Sequence, residues 1–197
     1  MERKRILAVG VGGQGILLFS RVLGETALAS GTAVAMSEVH GMAQRGGVVE
    51  TNIVLGGIRS PLISEGEVDI LVGLEPVETL RALPRARQDT IIISSTDPVI
   101  PQIVKDGLAP YPDLEEPLQR LKETFPRVYL FAGEQMAREA GTGKALNMVV
   151  LGALAGLGIL PFSRDSFLEA IRKLVKPKFL EANLKAFEAG FAVTASS

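Results

Sequence analysis

At 197 residues, with hydrophobic side chains making up 47% of them, the chain has the apolar content to bury one substantial core. Its acidic and basic residues nearly cancel to a net charge of -1, which leaves no global field to draw it to a phosphate backbone or an anionic membrane, and nucleic acid is discounted as a partner. The absence of cysteine excludes disulfides, thiolate metal sites, a nucleophilic thiol and a self-ligated iron–sulfur cluster, and a single histidine, His40, cannot build a histidine-rich zinc or iron site. Composition leaves a carboxylate site for magnesium open, but no metal-ligating residues are assigned.

In chain order, basic MERKR followed by apolar ILAVGVGGQGILLF imitates a secretory leader. Four glycines and Gln14 interrupt the apolar run, and Arg21 and Glu25 follow at amphipathic-helix spacing, so a cytoplasmic protein is expected instead. RILAVG is short enough for a buried strand, the glycine cluster GVGGQG turns the chain, and ILLFSRVLGETALAS has helical periodicity up to Gly31. TAVAMSE reads as a second strand, which makes the first sixty or so residues a βαβ unit. VVETNIVL alternates, Gly56 and Gly57 mark a tight turn, and IRSPLI returns; this is a β-hairpin pattern and implies a mixed sheet.

VDILVGL is a buried strand, Pro76 opens a helix expected to reach Ala86, and TIIISST is another strand. The proline-rich DPVIPQIVKDGLAPYPD should be mostly loop or short edge structure. A helix over 114–123 and a strand RVYLFA follow, and from Glu134 the chain reads as almost wholly helical, in segments 134–140, 144–157, 164–175 and 178–193. Ser166 with Glu169 as a capping box, Ser163, or Asp165 would each start the third of these. Residues 145–162, ALNMVVLGALAGLGILPF, barely reach membrane-spanning length; small residues dominate, Asn147 sits inside, and Gly152 and Gly156 lie one turn apart, which suits a core helix packed closely on a sheet. The expected fold is α/β: a three-layer Rossmann-like domain spanning 1–197, with a mixed, mainly parallel sheet and a helical C-terminal segment over about 134–194.

Gly10, Gly12 and Gly15 fit G-x-G-x-x-G between a strand and a helix, and Gly13 makes the turn barer still. Such a loop lets backbone amides at a helix N-terminus cradle a diphosphate; equally, its glycines let the helix pack tightly on the sheet. Glu38, some twenty residues on at the end of the second strand, stands where a nucleotide fingerprint wants an acid for a ribose hydroxyl. These residues do not separate NAD, flavin, ATP and coenzyme A, and a stand-alone NAD- or flavin-dependent oxidoreductase is the alternative reading. GTGKA, residues 141–145, only imitates a P-loop, since Arg138 replaces its first glycine and Ala145 its magnesium-binding hydroxyl.

Residues 37–47, SEVHGMAQRGG, hold His40 two residues after Glu38, but no serine, threonine or cysteine nucleophile suggests itself nearby. A structural or interface histidine is the better reading, and no catalytic residue is assigned. Arg45 with Gly46 and Gly47 combines guanidinium donors with bare backbone amides and suits anion contact; a surface arginine beside a hairpin entry is the plainer alternative.

GVGGQGI followed by SEVHGMAQRGG, and later by NMVVLGALAG in a helix, resembles the gamma-type domain of the 2-oxoacid:ferredoxin oxidoreductases over most of the chain. The resemblance implies a non-catalytic subunit or domain of an enzyme that takes a 2-oxoacid, here indolepyruvate or another aryl 2-oxoacid, and coenzyme A to acyl-CoA, CO2 and reduced ferredoxin. Thiamine diphosphate, its magnesium and the iron–sulfur clusters would sit on a partner alpha subunit, with ferredoxin reached through the complex. By matching position, Gly10, Gly12, Gly13 and Gly15 would form a loop touching coenzyme A. Glu38, Arg45, Gly46 and Gly47 would line the neighbouring wall, and His40, Met42 and Gln44 would face the partner. Some members carry lysines after the loop; this chain runs into apolar ILLF, and Arg21 is the first cation.

Overall fold

The computed structural model describes residues 2–41, 47–57 and 60–195. The elements in chain order are β1 (Lys4–Val11), α1 (Ile16–Ala29), β2 (Val34–His40), β3 (Val48–Leu55), β4 (Val68–Gly73), α2 (Pro76–Arg81) and β5 (Ala86–Ser95). Then come α3 (Gln102–Lys105), α4 (Glu115–Thr124), β6 (Val128–Phe131), α5 (Gly133–Glu139), α6 (Leu146–Gly156), α7 (Arg164–Leu174) and α8 (Pro177–Ala195). The strands form one sheet in the order β2-β3-β1-β4-β5-β6. β1, β4, β5 and β6 pair in parallel, whereas β3 runs antiparallel to both its neighbours, β1 and β2. The expected mixed, mainly parallel α/β architecture is the one observed.

The expected hairpin is not. VVETNIVL forms β3, but its partners are β1 and β2, and residues 60–63 of the expected return strand form no strand; Ile58 and Arg59 lie outside the described residues. Nor are the two strands of the expected βαβ unit adjacent, because β3 is inserted between them. Burial explains the insertion. Every residue from Thr51 to Leu55 is buried on both faces, so β3 must lie inside the sheet, while β2 ends in exposed Glu38, Val39 and His40 and can stand at the edge.

Two apolar layers flank the sheet. On one face, Ile6, Ala8, Ile53, Leu55, Ile70, Val72 and Ile93 pack against Phe19, Val22 and Leu23 of α1 and against α6, α7 and α8. On the other, Leu7, Val9, Val54, Leu71 and Ile92 meet Leu121 of α4 and Ala82 beyond α2. α6 is buried almost all round, as its uniformly apolar sequence demands. Its glycines, however, serve the helix α8 rather than the sheet: a Cβ on Gly152 would collide with the Phe187 carbonyl and one on Gly156 with that of Phe191, and from α8 one on Gly190 would collide with the Val149 carbonyl.

The helix opened by Pro76 is shorter than expected, ending at Arg81 before a 3-10 turn over Leu83–Arg85 leads into β5. Of the three possible caps for α7, Ser163 is the one used, its side chain accepting from the Ser166 amide. No helix among the described residues is long and apolar enough to cross a membrane.

Candidate functional site

Parallel β1, β4, β5 and β6 all end at one edge of the sheet, and in open α/β sheets that carboxyl edge is where ligands bind. The glycine loop leaves β1 there. Gly13, at φ 102°, and Gly15, at φ 83° as the N-cap of α1, occupy the left-handed region that side chains avoid. Leu18 and Phe19 already donate to the Gly15 carbonyl, so the helix closes immediately, and the amides of Gly13, Ile16 and Leu17 have no acceptor among the described residues. Three bare amides at a helix N-terminus are suited to an anion.

Two buried or half-buried amides hold the loop. Gln14 folds its side chain back, Oε1 accepting from Val11 N at 2.9 Å and Nε2 donating to the Leu74 carbonyl at 2.8 Å, which ties β1 to the end of β4. Gly10 makes room for it, since a Cβ there would stand 2.6 Å from Gln14 Oε1. From α6, Asn147 donates to the Gly15 carbonyl at 3.0 Å and is itself 2% exposed, with its Oδ1 unpartnered among the described residues. Gly10 and Gly15 thus accommodate the protein's own amides, and Gly13 has nothing among the described residues within 4 Å of a built Cβ.

Gly47 is brought to the loop directly: its carbonyl accepts from Gly12 N at 2.9 Å, while Gly41 N donates to the Val48 carbonyl at 2.7 Å. Met42, Gln44, Arg45 and Gly46 lie outside the described residues. Glu38 and His40 share one face of β2, opposite Thr51 and Val49 of β3, and both are exposed. Because β3 separates β2 from β1, Glu38 is two strand spacings from the loop's own strand, roughly 10 Å laterally where a neighbouring strand would stand about 5 Å away.

Across the Gly12–Gly47 link lies a cavity of about 580 Å³, floored by Glu75 and Glu78 and roofed by the proline-rich segment from Val99 to Pro112. Glu75 is only 2% exposed; its Oε2 caps α2 by accepting from Glu78 N at 2.9 Å, and its Oε1 accepts from Tyr111 at 3.0 Å and Val99 N at 3.3 Å. Glu78 pairs with Arg81 at 2.7 Å, yet burial holds its carboxyl above the usual range. Burial and the neighbouring Glu75 charge push the Tyr111 phenol up, so it remains a donor at any ordinary pH. Sequence reasoning passed over Glu75, Glu78 and Tyr111. The available signal was Glu75-Pro76 at a strand-to-helix junction, an acidic cap before a proline. GTGKA behaves as expected: Thr142 caps a 3-10 turn over Gly143–Ala145, which leads into α6.

The family model for pyruvate ferredoxin/flavodoxin oxidoreductase matches residues 5–193. Indolepyruvate oxidoreductase subunit IorB of Archaeoglobus fulgidus is 41% identical over 189 residues, covering 96% of this chain and 94% of the relative. The gamma subunit of a keto/oxoacid ferredoxin oxidoreductase from Geobacter sulfurreducens superposes with a TM-score of 0.72 at 22% identity, covering 98% of this chain and 99% of its own. A 2-oxoglutarate:ferredoxin oxidoreductase from Magnetococcus marinus, solved with 2-oxoglutarate, coenzyme A and succinyl-CoA bound, also gives 0.72 at 19% identity; all of this chain aligns to 32% of that one.

Proposed function

Because the chain belongs to the pyruvate ferredoxin/flavodoxin oxidoreductase family, we propose that it is the non-catalytic subunit of an indolepyruvate-type 2-oxoacid:ferredoxin oxidoreductase, working in the cytoplasm. The assembled enzyme converts an aryl 2-oxoacid and coenzyme A to acyl-CoA, CO2 and reduced ferredoxin. Thiamine diphosphate with its magnesium, and the iron–sulfur clusters, belong to the partner alpha subunit, where they supply decarboxylation and electron transfer; a chain without cysteine cannot ligate a cluster through thiolates. The relative from Archaeoglobus fulgidus supports indolepyruvate as the oxoacid.

One observation carries the reading of the site: at the carboxyl edge of the sheet the amides of Gly13, Ile16 and Leu17 have no acceptor among the described residues, on a loop whose Gly12 amide donates to the Gly47 carbonyl. They suit a phosphate of coenzyme A, with Gly10, Gly12, Gly13 and Gly15 shaping the loop and Gly47 at its wall. By family position, Arg45 and Gly46 are assigned to contact with the anion, and His40, Met42 and Gln44 to contact with the partner. The relative solved with coenzyme A supports the choice of ligand. Against a stand-alone dinucleotide oxidoreductase stand the Gln14 amide, which bridges β1 and β4 where a dinucleotide would cross the sheet, and Glu38, displaced by one strand from the position that binds ribose.

The test is recovery of the tagged chain from its native host followed by an assay of 2-oxoacid-dependent ferredoxin reduction with coenzyme A. A thiamine- and iron–sulfur-containing partner that prefers indolepyruvate is expected. A lone protein carrying nicotinamide or flavin would overturn the proposal.

A further inference from the structure

We infer that Glu75 is the latch of a strap, residues 98–112, that covers part of the open cavity beside the glycine loop, and that its release widens a ligand's access to that side of the loop. The inference deepens the proposed reading of the loop and rests on it only for the identity of the ligand.

Glu75 is unusual in serving two structures with its two oxygens. Oε2 is committed to the Glu78 amide as the cap of α2, which fixes the plane of the carboxylate. Oε1 then points at the strap and receives one donor from each of its ends, Val99 N and the Tyr111 hydroxyl. No other hydrogen bond or ion pair joins 98–112 to the remainder of the described residues. Between its two attachments the strap is stiffened by Pro101 and Pro110 and by its own turn, in which Val104 and Lys105 donate to the Pro101 carbonyl and Leu108 to that of Ile103.

The strap is therefore a preformed piece whose polar attachments, among the described residues, converge on one atom, and loss of those bonds loosens both of its ends together. Its flanks are anchored separately: Asp97 accepts from Glu134 N at 2.7 Å, and α4 begins at Glu115. Beneath it lie Val11, Gly12, Gly47 and Val48, so the same movement uncovers one side of the glycine loop. Ile103 and Leu108, 53% and 76% exposed, ride on the outer surface.

Limited trypsin digestion of the full chain reads the latch, because exposed Lys105 ends the turn of the strap. Tyr111→Phe removes one latch bond and leaves the α2 cap intact, unlike Glu75→Ala. It is expected to raise the rate of cleavage after Lys105 about ten-fold or more, as loss of a hydrogen bond to a charged acceptor should. Cleavage after exposed Lys122 in α4 should not change and serves as the internal control. An unchanged rate after Lys105 in the variant overturns the latch. Added coenzyme A should slow cleavage of the wild-type strap; acceleration by Tyr111→Phe with no effect of coenzyme A would uphold the latch and count against coenzyme A as the ligand.

Discussion

Gly15 is held from two directions. Its backbone lies at φ 83°, and Asn147 Nδ2 would stand only 2.7 Å from an added Cβ. Gly15→Ala should therefore cost about 1–2 kcal/mol for the left-handed backbone alone, plus a steric cost against Asn147. Asn147→Ala removes the obstacle but also the bond to the Gly15 carbonyl. In urea denaturation the double mutant is expected to lose less than the sum of the single losses, by about 0.5 kcal/mol or more; strictly additive losses would mean the two residues do not meet as described. A fingerprint glycine can thus be required by the protein's own side chain as much as by a ligand. The motif alone does not distinguish these.

At the scale of elements, the C-terminal helices are defined by how closely α6 and α8 approach. Gly190 faces the Val149 carbonyl, and Gly190→Val would drive a branched side chain into backbone that cannot yield. The expected loss is more than about 3 kcal/mol, beyond ordinary overpacking, and should appear as insoluble expression or a steep fall in melting temperature. Gly24 of α1 is the contrast, since among the described residues a Cβ there meets the end of the flexible Met36 side chain, Cε at 3.2 Å and Sδ at 3.4 Å. Gly24→Ala should be neutral or stabilising, because helix propensity favours alanine by about 1 kcal/mol. A damaging Gly24→Ala beside a benign Gly190→Val would contradict this account of the helix layer.

For the whole molecule, residues from β1, β3, β4, β5, α1, α6, α7 and α8 enter one apolar cluster, so the helical segment after residue 134 shares its core with the sheet. We propose that the chain is one cooperative domain. Thermal unfolding followed by far-ultraviolet circular dichroism and by hydrogen exchange should give a single transition, with β1, β4 and α6 equally protected. Loss of protection in α6 and α8 ahead of the sheet would divide the chain into two units.

Much of this protein is written in local pattern. Apolar runs of strand length, helical periodicity and the prolines at 76, 98, 101, 110 and 112 located most elements, because backbone preference and burial act over a few residues and leave their period in the sequence. The glycine loop was equally legible, since left-handed backbone selects glycine. Sheet order was not. VVETNIVL pairs with strands on both sides, and the burial of both its faces, rather than any turn signal, set it between β1 and β2. The positions of Gln14 against Leu74, of Asn147 against Gly15 and of Glu75 beneath the strap were likewise decided only by tertiary structure. Each joins residues from 24 to 132 positions apart. At such separations the sequence names the residues but not their neighbours, which depend on how the sheet and its layers close.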